Sequence, residues 1–262
     1  MIIPWQFELV EHTGSTNTDL MNRWHSHALS EPISLMALTQ TAGRGRRGNT
    51  WISQANQSLT FSLAYPFSNE LSMMRLQGLS LACGLSVLKS VVNYFQLSDL
   101  DAKKSGLGLK WPNDILLGHR KLGGILVEGG QKTPVDPIWM VIGIGLNISI
   151  PPIDSEHLAS ANILELCPTQ FPHIDIQSLW KQLSRDMGDM LSVFKNEAFI
   201  PFQDDWNAWN AWRDLQVEVF NPSTKIVSGK CLGVNSMGYL MIDSFQGMKE
   251  ISNGELSLSK VR

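Results

Sequence analysis

The residues best suited to chemistry are Gly43-Arg44-Gly45-Arg46-Arg47-Gly48, which interleave three guanidinium groups with glycine. Glycine lets backbone N–H groups turn toward one anion. Arginine adds planar, permanently charged forks that grip carboxylate or phosphate through paired hydrogen bonds. The spacing also satisfies G-x-G-x-x-G, the dinucleotide fingerprint, but that use requires the glycines to open a helix directly after a strand. Here Asn49-Thr50-Trp51-Ile52-Ser53 follows, without helical periodicity. No Gly-Lys-Ser/Thr ends the loop, which excludes a Walker-type phosphate loop. No His-Arg-Asp or Asp-Phe-Gly occurs downstream, which excludes a kinase loop. Alone, such a segment reads as a flexible basic surface loop; its companions change the reading.

Three further segments carry candidate chemistry. Lys110-Trp111-Pro112-Asn113-Asp114 precedes Arg120-Lys121-Leu122-Gly123-Gly124-Ile125-Leu126-Val127-Glu128. Pro112 holds Trp111 extended and favours a sharp turn at Asn113-Asp114. A lysine just before a Gly-Gly pair that opens an apolar strand can reach into a site from close-packed backbone; a polar hairpin with exposed ends is the even alternative. Val141-Ile142-Gly143-Ile144-Gly145-Leu146-Asn147-Ile148 reads as a buried strand with two positions free of side chain. A flat ligand or a packed helix can approach at such positions. Ser15-Thr16-Asn17 is either part of a site or a helix cap.

The elements that must position these residues follow from periodicity. Residues 7–12, 33–40, 59–65, 107–111, 125–128 and 139–148 read as strands. Residues 17–29 read as a helix, with Thr16 and Asp19 as its capping box. Apolar spacing predicts one long helix over 71–95, with Gly78 and Gly84 inside it, and helix over 178–210. From Gln216 onward, short β-prone runs are punctuated by Asn221-Pro222, Gly229, Gly233, Gly238 and Asn253-Gly254. This predicts a small β-barrel of roughly 45–50 residues beside an α+β body, dividing the chain into 1–212 and 213–262.

Composition bounds the classes. With 262 residues, 43% apolar and 17% charged, the chain has a globular core. Cys83, Cys167 and Cys231 form no CxxC pair, which argues against a disulfide framework or zinc site and suits a reducing compartment. The first residues do not read as a signal peptide, and no apolar run approaches the ~20 residues that span a bilayer; the cytoplasm is the expected compartment. Residues 1–150 hold 12 Lys/Arg against 10 Asp/Glu, and residues 151–262 hold 9 against 14. Concentrated cations on a near-neutral body suit small anions better than DNA. His25 and His27 lie on different helix faces, unsuited to joint metal binding. Trp206, Trp209 and Trp212, like Met73 and Met74, read as packing residues.

Taken in order, Ser15-Thr16-Asn17, Gln40 with the glycine–arginine loop and Trp51, the Lys110–Asp114 and Arg120–Glu128 segments, and Gly143-Ile144-Gly145-Leu146-Asn147 resemble the biotin protein ligases. The resemblance covers residues 8–150 well, is weak over 151–210 and moderate in the last fifty. It implies a mixed-sheet catalytic domain with a C-terminal SH3-like β-barrel. It also implies that ATP and biotin give an adenylate, from which a lysine of a biotin carboxyl carrier protein takes biotin. Ser15, Thr16, Asn17, Gln40, Gly43, Arg44, Lys121 and Gly123 would bind biotin. Arg46, Arg47, Trp51, Asn113, Asp114 and Asn147 would bind the nucleotide. Arg44, Arg46 and Lys121 would assist the chemistry, and Asp114 would contact Mg²⁺. No DNA or membrane partner is implied, and dimers formed by edge pairing of sheets occur in the family.

Two departures stand out. The family often has Arg after Gly-Glu-(apolar)-Ser-Leu, whereas Ser259 follows Gly254-Glu255-Leu256-Ser257-Leu258 here, with Lys260 or Arg262 as substitutes. The chain also reaches Ser15 too soon for the N-terminal DNA-binding domain of some members, so a ligase without repressor activity is expected. The rivals are a lipoate or octanoate transfer enzyme of the same fold, a nicotinamide-dependent oxidoreductase and a nucleic-acid-binding module. The arginine loop and Trp51 favour biotin over the first, the missing helix opposes the second, and the acidic second half opposes the third.

Overall fold

The computed structural model describes residues 3–149, 160–166, 174–221 and 223–258. In chain order its elements begin with β1 (Gln6–Thr13), α1 (Thr16–His25), β2 (Ile33–Gln40), β3 (Ser58–Phe67), α2 (Leu79–Tyr94) and α3 (Asp99–Lys104). There follow β4 (Leu107–Lys110), β5 (Asp114–Leu117), β6 (Arg120–Gly130), β7 (Ile138–Asn147), α4 (Ile176–Glu197) and α5 (Gln203–Ala208). Five short strands complete it: β8 (Gln216–Phe220), β9 (Lys225–Val234), β10 (Leu240–Ser244), β11 (Gly247–Ile251) and β12 (Glu255–Leu258).

Period-two alternation sorts the first seven strands into one mixed sheet, ordered β1-β2-β3-β7-β6-β5-β4, in which β1 and β2 are parallel and the other pairs antiparallel. On β7, Ile138, Met140, Ile142, Ile144 and Leu146 join the core cluster that includes the buried faces of α2 and α4. The intervening Trp139 and Val141 pack with Leu20 of α1 instead. Gly143 and Gly145 continue that second face beyond them. Amphipathic α4 buries Leu179, Trp180, Leu183, Met187, Leu191 and Phe194 at helical spacing. It is pinned to β2 by Trp180 Nε1, which donates to Ser34 Oγ at 2.7 Å.

The helices differ from the sequence reading in instructive ways. The segment read as one helix over 71–95 is a 3₁₀ turn, Met73–Leu76, followed by α2. Gly78 separates them with φ +80, a left-handed conformation no helix can pass through. Met73–Tyr94 does have the length and apolarity to cross a membrane, contrary to expectation, but 67% of its apolar window is buried inside the protein. The 178–210 helix likewise breaks at Ala198, φ +56, between α4 and α5. Helix α1 is capped by Ser15, whose side chain accepts from the Thr18 N–H, and Asp19 Oδ2 instead accepts from Thr13 Oγ1 at 2.6 Å.

The last five strands form an antiparallel sheet, ordered β11-β10-β9-β8-β12. Its consecutive strands β11 and β12 stand at opposite ends of that order. Three residues link them, a reach of at most about 14 Å, whereas opposite ends of a flat five-stranded sheet lie about 19 Å apart. The sheet must therefore curl, as expected of a small barrel. The sequence division at 212/213 falls where the chain leaves Trp212 for β8, and the apolar core is continuous across it. Trp206, Trp209 and Trp212 share one cluster with Val217, Val219, Leu240 and Ile242. Trp111 Nε1 donates to the Gly238 carbonyl at 3.2 Å across the same joint.

Candidate active site

Beyond the end of α1, the second face of the sheet, at Leu126 and Glu128, forms a groove with the glycine–arginine loop, and glycines beside it let other side chains lie close. A Cβ on Gly143 would lie 2.4 Å from Asn17 Oδ1, and one on Gly145 would lie 2.4 Å from Trp51 Cε2. A Cβ on Gly124 would meet Lys121 Cε at 3.3 Å. The glycines thus seat the amide of Asn17, the indole of Trp51 and the stem of Lys121. Gly123 faces the other way, where a Cβ would strike Leu146, and tightens β6 against β7.

One end of the groove is a chain of buried polar groups at the start of α1. Gln40 Oε1 accepts from the Thr16 N–H at 2.8 Å and lies 3.1 Å from Thr16 Oγ1. Thr16 Oγ1 lies 2.7 Å from Ser62 Oγ, which donates to Asn17 Oδ1 at 2.7 Å. Ser15, Thr16, Asn17 and Ser62 are all buried, so their hydrogen-bonding capacity faces one another and the groove. Such an arrangement suits a compact polar ring.

The glycine–arginine loop, together with Leu126 and Glu128, bounds this groove, a cavity of about 540 Å³. It is no helix opening but a hairpin-like turn. Arg44 bridges Thr50, the Gly45 N–H donates to the Asn49 carbonyl at 2.7 Å, and the Trp51 N–H donates to the Gly43 carbonyl at 2.9 Å. Gly43 is required there, because a Cβ would lie 2.3 Å from the Trp51 carbonyl oxygen. Arg47, at φ +55, reaches the C-terminal sheet, with Nη2 3.3 Å from Asn221 Oδ1 and from Asn253 Oδ1, and Nη1 3.5 Å from Glu255 Oε1. Arg46 is half-buried; burial first, then Arg47, pull its guanidinium below the usual value, while Glu255 and Asp114 act oppositely.

Beside the loop lies a second set of charges. Lys121 Nζ is 2.7 Å from Asp114 Oδ1 and 5.8 Å from the centre of the Trp51 ring. Lys110 Nζ is 3.9 Å from Asp114 Oδ2 and rests 4.5 Å over Trp212. Burial lowers the Lys110 pKa, with Asp114 opposing. Cations held with so little water around them attract an incoming anion strongly.

The structure thus brings together Ser15, Thr16, Asn17, Gln40, Gly43, Arg44, Arg46, Trp51, Asp114 and Lys121. Two residues expected at the nucleotide spend their Nδ2 donors on the protein itself. Asn113 Nδ2 donates to the Ile125 carbonyl at 2.9 Å, and Asn147 Nδ2 donates to the carbonyls of Ala161 at 3.0 Å and Lys121 at 3.3 Å. Both amides tie backbone together beneath the site. Ser259, Lys260 and Arg262 lie outside the described residues. Sequence reasoning assigned no role to Lys110, Ser62 or Glu128; the period-two spacing Gly124, Leu126, Glu128 on β6 was the available signal for the last.

Comparison with known proteins agrees with this geometry. Residues 9–147 match the model of the biotin/lipoate A/B protein ligase family. The chain is 30% identical over 240 residues to the biotin–[acetyl-CoA-carboxylase] ligase of Mycobacterium tuberculosis, covering 91% of this chain and 83% of that one. It is 30% identical over 244 residues to the bifunctional ligase/repressor BirA of Escherichia coli, covering 93% and 71%. Among solved structures, a biotin protein ligase from Aquifex aeolicus in complex with biotin and ATP superposes with a TM-score of 0.77 at 26% identity, covering 98% and 99%.

Proposed function

Because this chain belongs to the biotin/lipoate A/B protein ligase family, we propose that it is a biotin protein ligase. Biotin and ATP give biotinyl-5′-AMP and pyrophosphate, and a lysine of a biotin carboxyl carrier protein then takes the biotinyl group. The observation that carries this reading is a cavity lined by Arg44 and Arg46, joined through Glu128 to the buried Asn17 and through Trp51, which bonds to the loop at Gly43, to Lys121.

The polar groups of Ser15, Thr16, Asn17 and Gln40 bind the polar ring of biotin, and the tail carboxylate extends past Asn17 toward the cations. One carboxylate oxygen attacks the α-phosphorus of ATP, an O–P bond forms, and the bond to pyrophosphate breaks. Two unit negative charges 4 Å apart repel by about 4 kcal/mol at an effective dielectric near 20. Arg44, Arg46 and Lys121 offset this and stabilise the charge growing on phosphorus. No side-chain nucleophile is needed. In the second step the neutral amine of the carrier lysine attacks the acyl carbon, AMP leaves, and the amine releases a proton. Trp51, resting on Gly145 beside Lys121, offers the adenine a stacking face.

Magnesium fits this site as an ion carried in by the triphosphate, since it takes one or two carboxylates plus phosphate oxygens and keeps much of its water. Among the described residues no group of three His, Cys, Asp or Glu side chains could hold a resident metal. Asp114, in reach of both Lys110 and Lys121, is the carboxylate that would share the ion; bound there, magnesium neutralises phosphate charge. Buried free thiols at Cys83 and Cys231 suit the cytoplasm. β1, an end strand of the sheet order, offers an edge for the sheet-pairing dimer that the family resemblance implies.

ATP–pyrophosphate exchange with Mg²⁺, comparing biotin, lipoate and octanoate, tests the proposal. Exchange dependent on biotin is expected; exchange with lipoate or octanoate alone, or none in a folded sample, overturns it. Gly143→Ala is expected to raise the KM for biotin at least tenfold without unfolding the protein, because the added methyl must displace the Asn17 amide. An unchanged KM would show that the Asn17 seat is unimportant.

A further inference from the structure

Glu128, at the far end of β6, takes no part in the steps above, yet both its carboxylate oxygens are committed to the biotin site. Oε1 accepts from Arg44 Nη2 at 2.6 Å and Oε2 accepts from Asn17 Nδ2 at 2.9 Å. Arg44 is steadied further by Thr18 Oγ1, 3.4 Å from Nη1. The Glu128 side chain is 22% exposed, against 46% for Arg44, so the acid is the better-fixed partner.

An ionised carboxylate can only accept hydrogen bonds, and this fixes the polarity of the pocket behind it. Asn17 must turn its NH₂ toward Glu128, which leaves Oδ1 facing Ser62. Ser62 then gives its one proton to Asn17, so Thr16 Oγ1 gives its own to Ser62 in the 2.7 Å contact, and only the Thr16 N–H is left to donate to Gln40 Oε1. At the end of the chain Gln40 Oε1 receives the Thr16 N–H, and Gln40 Nε2 is left as a donor at the edge of the groove, near Gly43. One acid thus orders Asn17, Ser62 and the Thr16 hydroxyl, the Thr16 N–H orders Gln40, and the same acid holds the guanidinium expected to meet the substrate carboxylate.

We propose that Glu128 is a positioning residue for biotin, acting through Arg44 and Asn17 together. This rests on the biotin-ligase reading. Glu128→Gln conserves shape but replaces one acceptor oxygen by NH₂, which must then face the NH₂ of Asn17 or the guanidinium of Arg44. Facing Arg44, it sets donor against donor; facing Asn17, it does so unless the Asn17 amide turns over, which reverses the polarity of the ring pocket.

Biotin and ATP titrations of pyrophosphate exchange, with thermal unfolding in parallel, provide the test. Glu128→Gln is expected to raise the KM for biotin about tenfold or more, change the KM for ATP less than twofold and leave the Tm near wild type. In an Arg44→Ala background, Glu128→Gln should add less than in the wild type, because part of its effect runs through Arg44. If Glu128→Gln does not fold, Glu128→Asp, which keeps the charge on a shorter arm, should show the same biotin-selective rise. An unchanged biotin KM in an active protein overturns the inference, as does a parallel rise for both substrates with a lowered Tm. Failure of the wild type to exchange pyrophosphate with biotin would overturn the functional reading instead.

Discussion

Lys121→Ala is expected to lower biotin-dependent ATP–pyrophosphate exchange by about 10²–10³-fold while the protein remains folded. The Lys121 stem crosses the bare backbone of Gly124 and delivers its ammonium to Asp114 Oδ1 at 2.7 Å, with the Trp51 ring 5.8 Å away. It is the cation nearest the acid that would share magnesium. Removing one preorganised charge-stabilising group from a transition state costs about 3–4 kcal/mol, which sets the expected factor. The fold survives because Lys110 remains within 3.9 Å of Asp114. Lys121→Arg should not restore full activity, since a guanidinium fork cannot take the place of a compact ammonium on that stem. Exchange rates compared at matched circular dichroism decide the matter; a rate within threefold of wild type would remove Lys121 from the chemistry.

Arg46→Gly is expected to speed release of the bound adenylate by about 30–100-fold. Losing charge-assisted hydrogen bonds to a phosphate costs about 2–3 kcal/mol, and 1.4 kcal/mol is a factor of ten. Arg46 is well placed for that contact. It is half-buried and depressed in pKa chiefly by burial, and its bond to Asn253 Oδ1, at 3.5 Å, is long. An anion therefore displaces little. Glycine would also loosen the Arg46–Gly48 turn, which already carries positive φ at Arg47 and Gly48. Chasing preformed labelled adenylate with excess unlabelled substrate reads the off-rate directly. An unchanged off-rate would mean that the loop holds the intermediate without this side chain.

Much of this was legible in the sequence because it is local. Alternation along β7 determines which residues enter the core and puts both glycines on the opposite face, whatever packs there. The glycine–arginine loop announces an anion site by composition, and the absence of helical periodicity after it excludes the dinucleotide fold. Short runs with turn residues determine the C-terminal sheet. The misreadings are also local in origin. Ser15 and Thr16 are both competent caps, and apolar spacing continues through the 3₁₀ turn before Gly78, so periodicity alone could not place either boundary. Strand β5 was hidden because Asp114-Ile115 looks like the end of a turn until Gly124 and Gly123 pair with it.

Tertiary structure alone decided which partner each polar group takes. Asn113 and Asn147 have the chemistry of base-binding residues, yet packing aims their amides at backbone carbonyls. Arg47 has the same side chain as Arg46, but its left-handed backbone sends it toward Glu255 in another sheet. Glu128 looks like the polar end of a strand until the fold brings it to Arg44, 84 residues away, and Asn17, 111 residues away. The physical reason is one of range. Side-chain type and period set what a residue can do and which way it faces within its own element, whereas a hydrogen bond needs a partner within about 3 Å, and distant segments are brought that close only by the packing of the whole sheet.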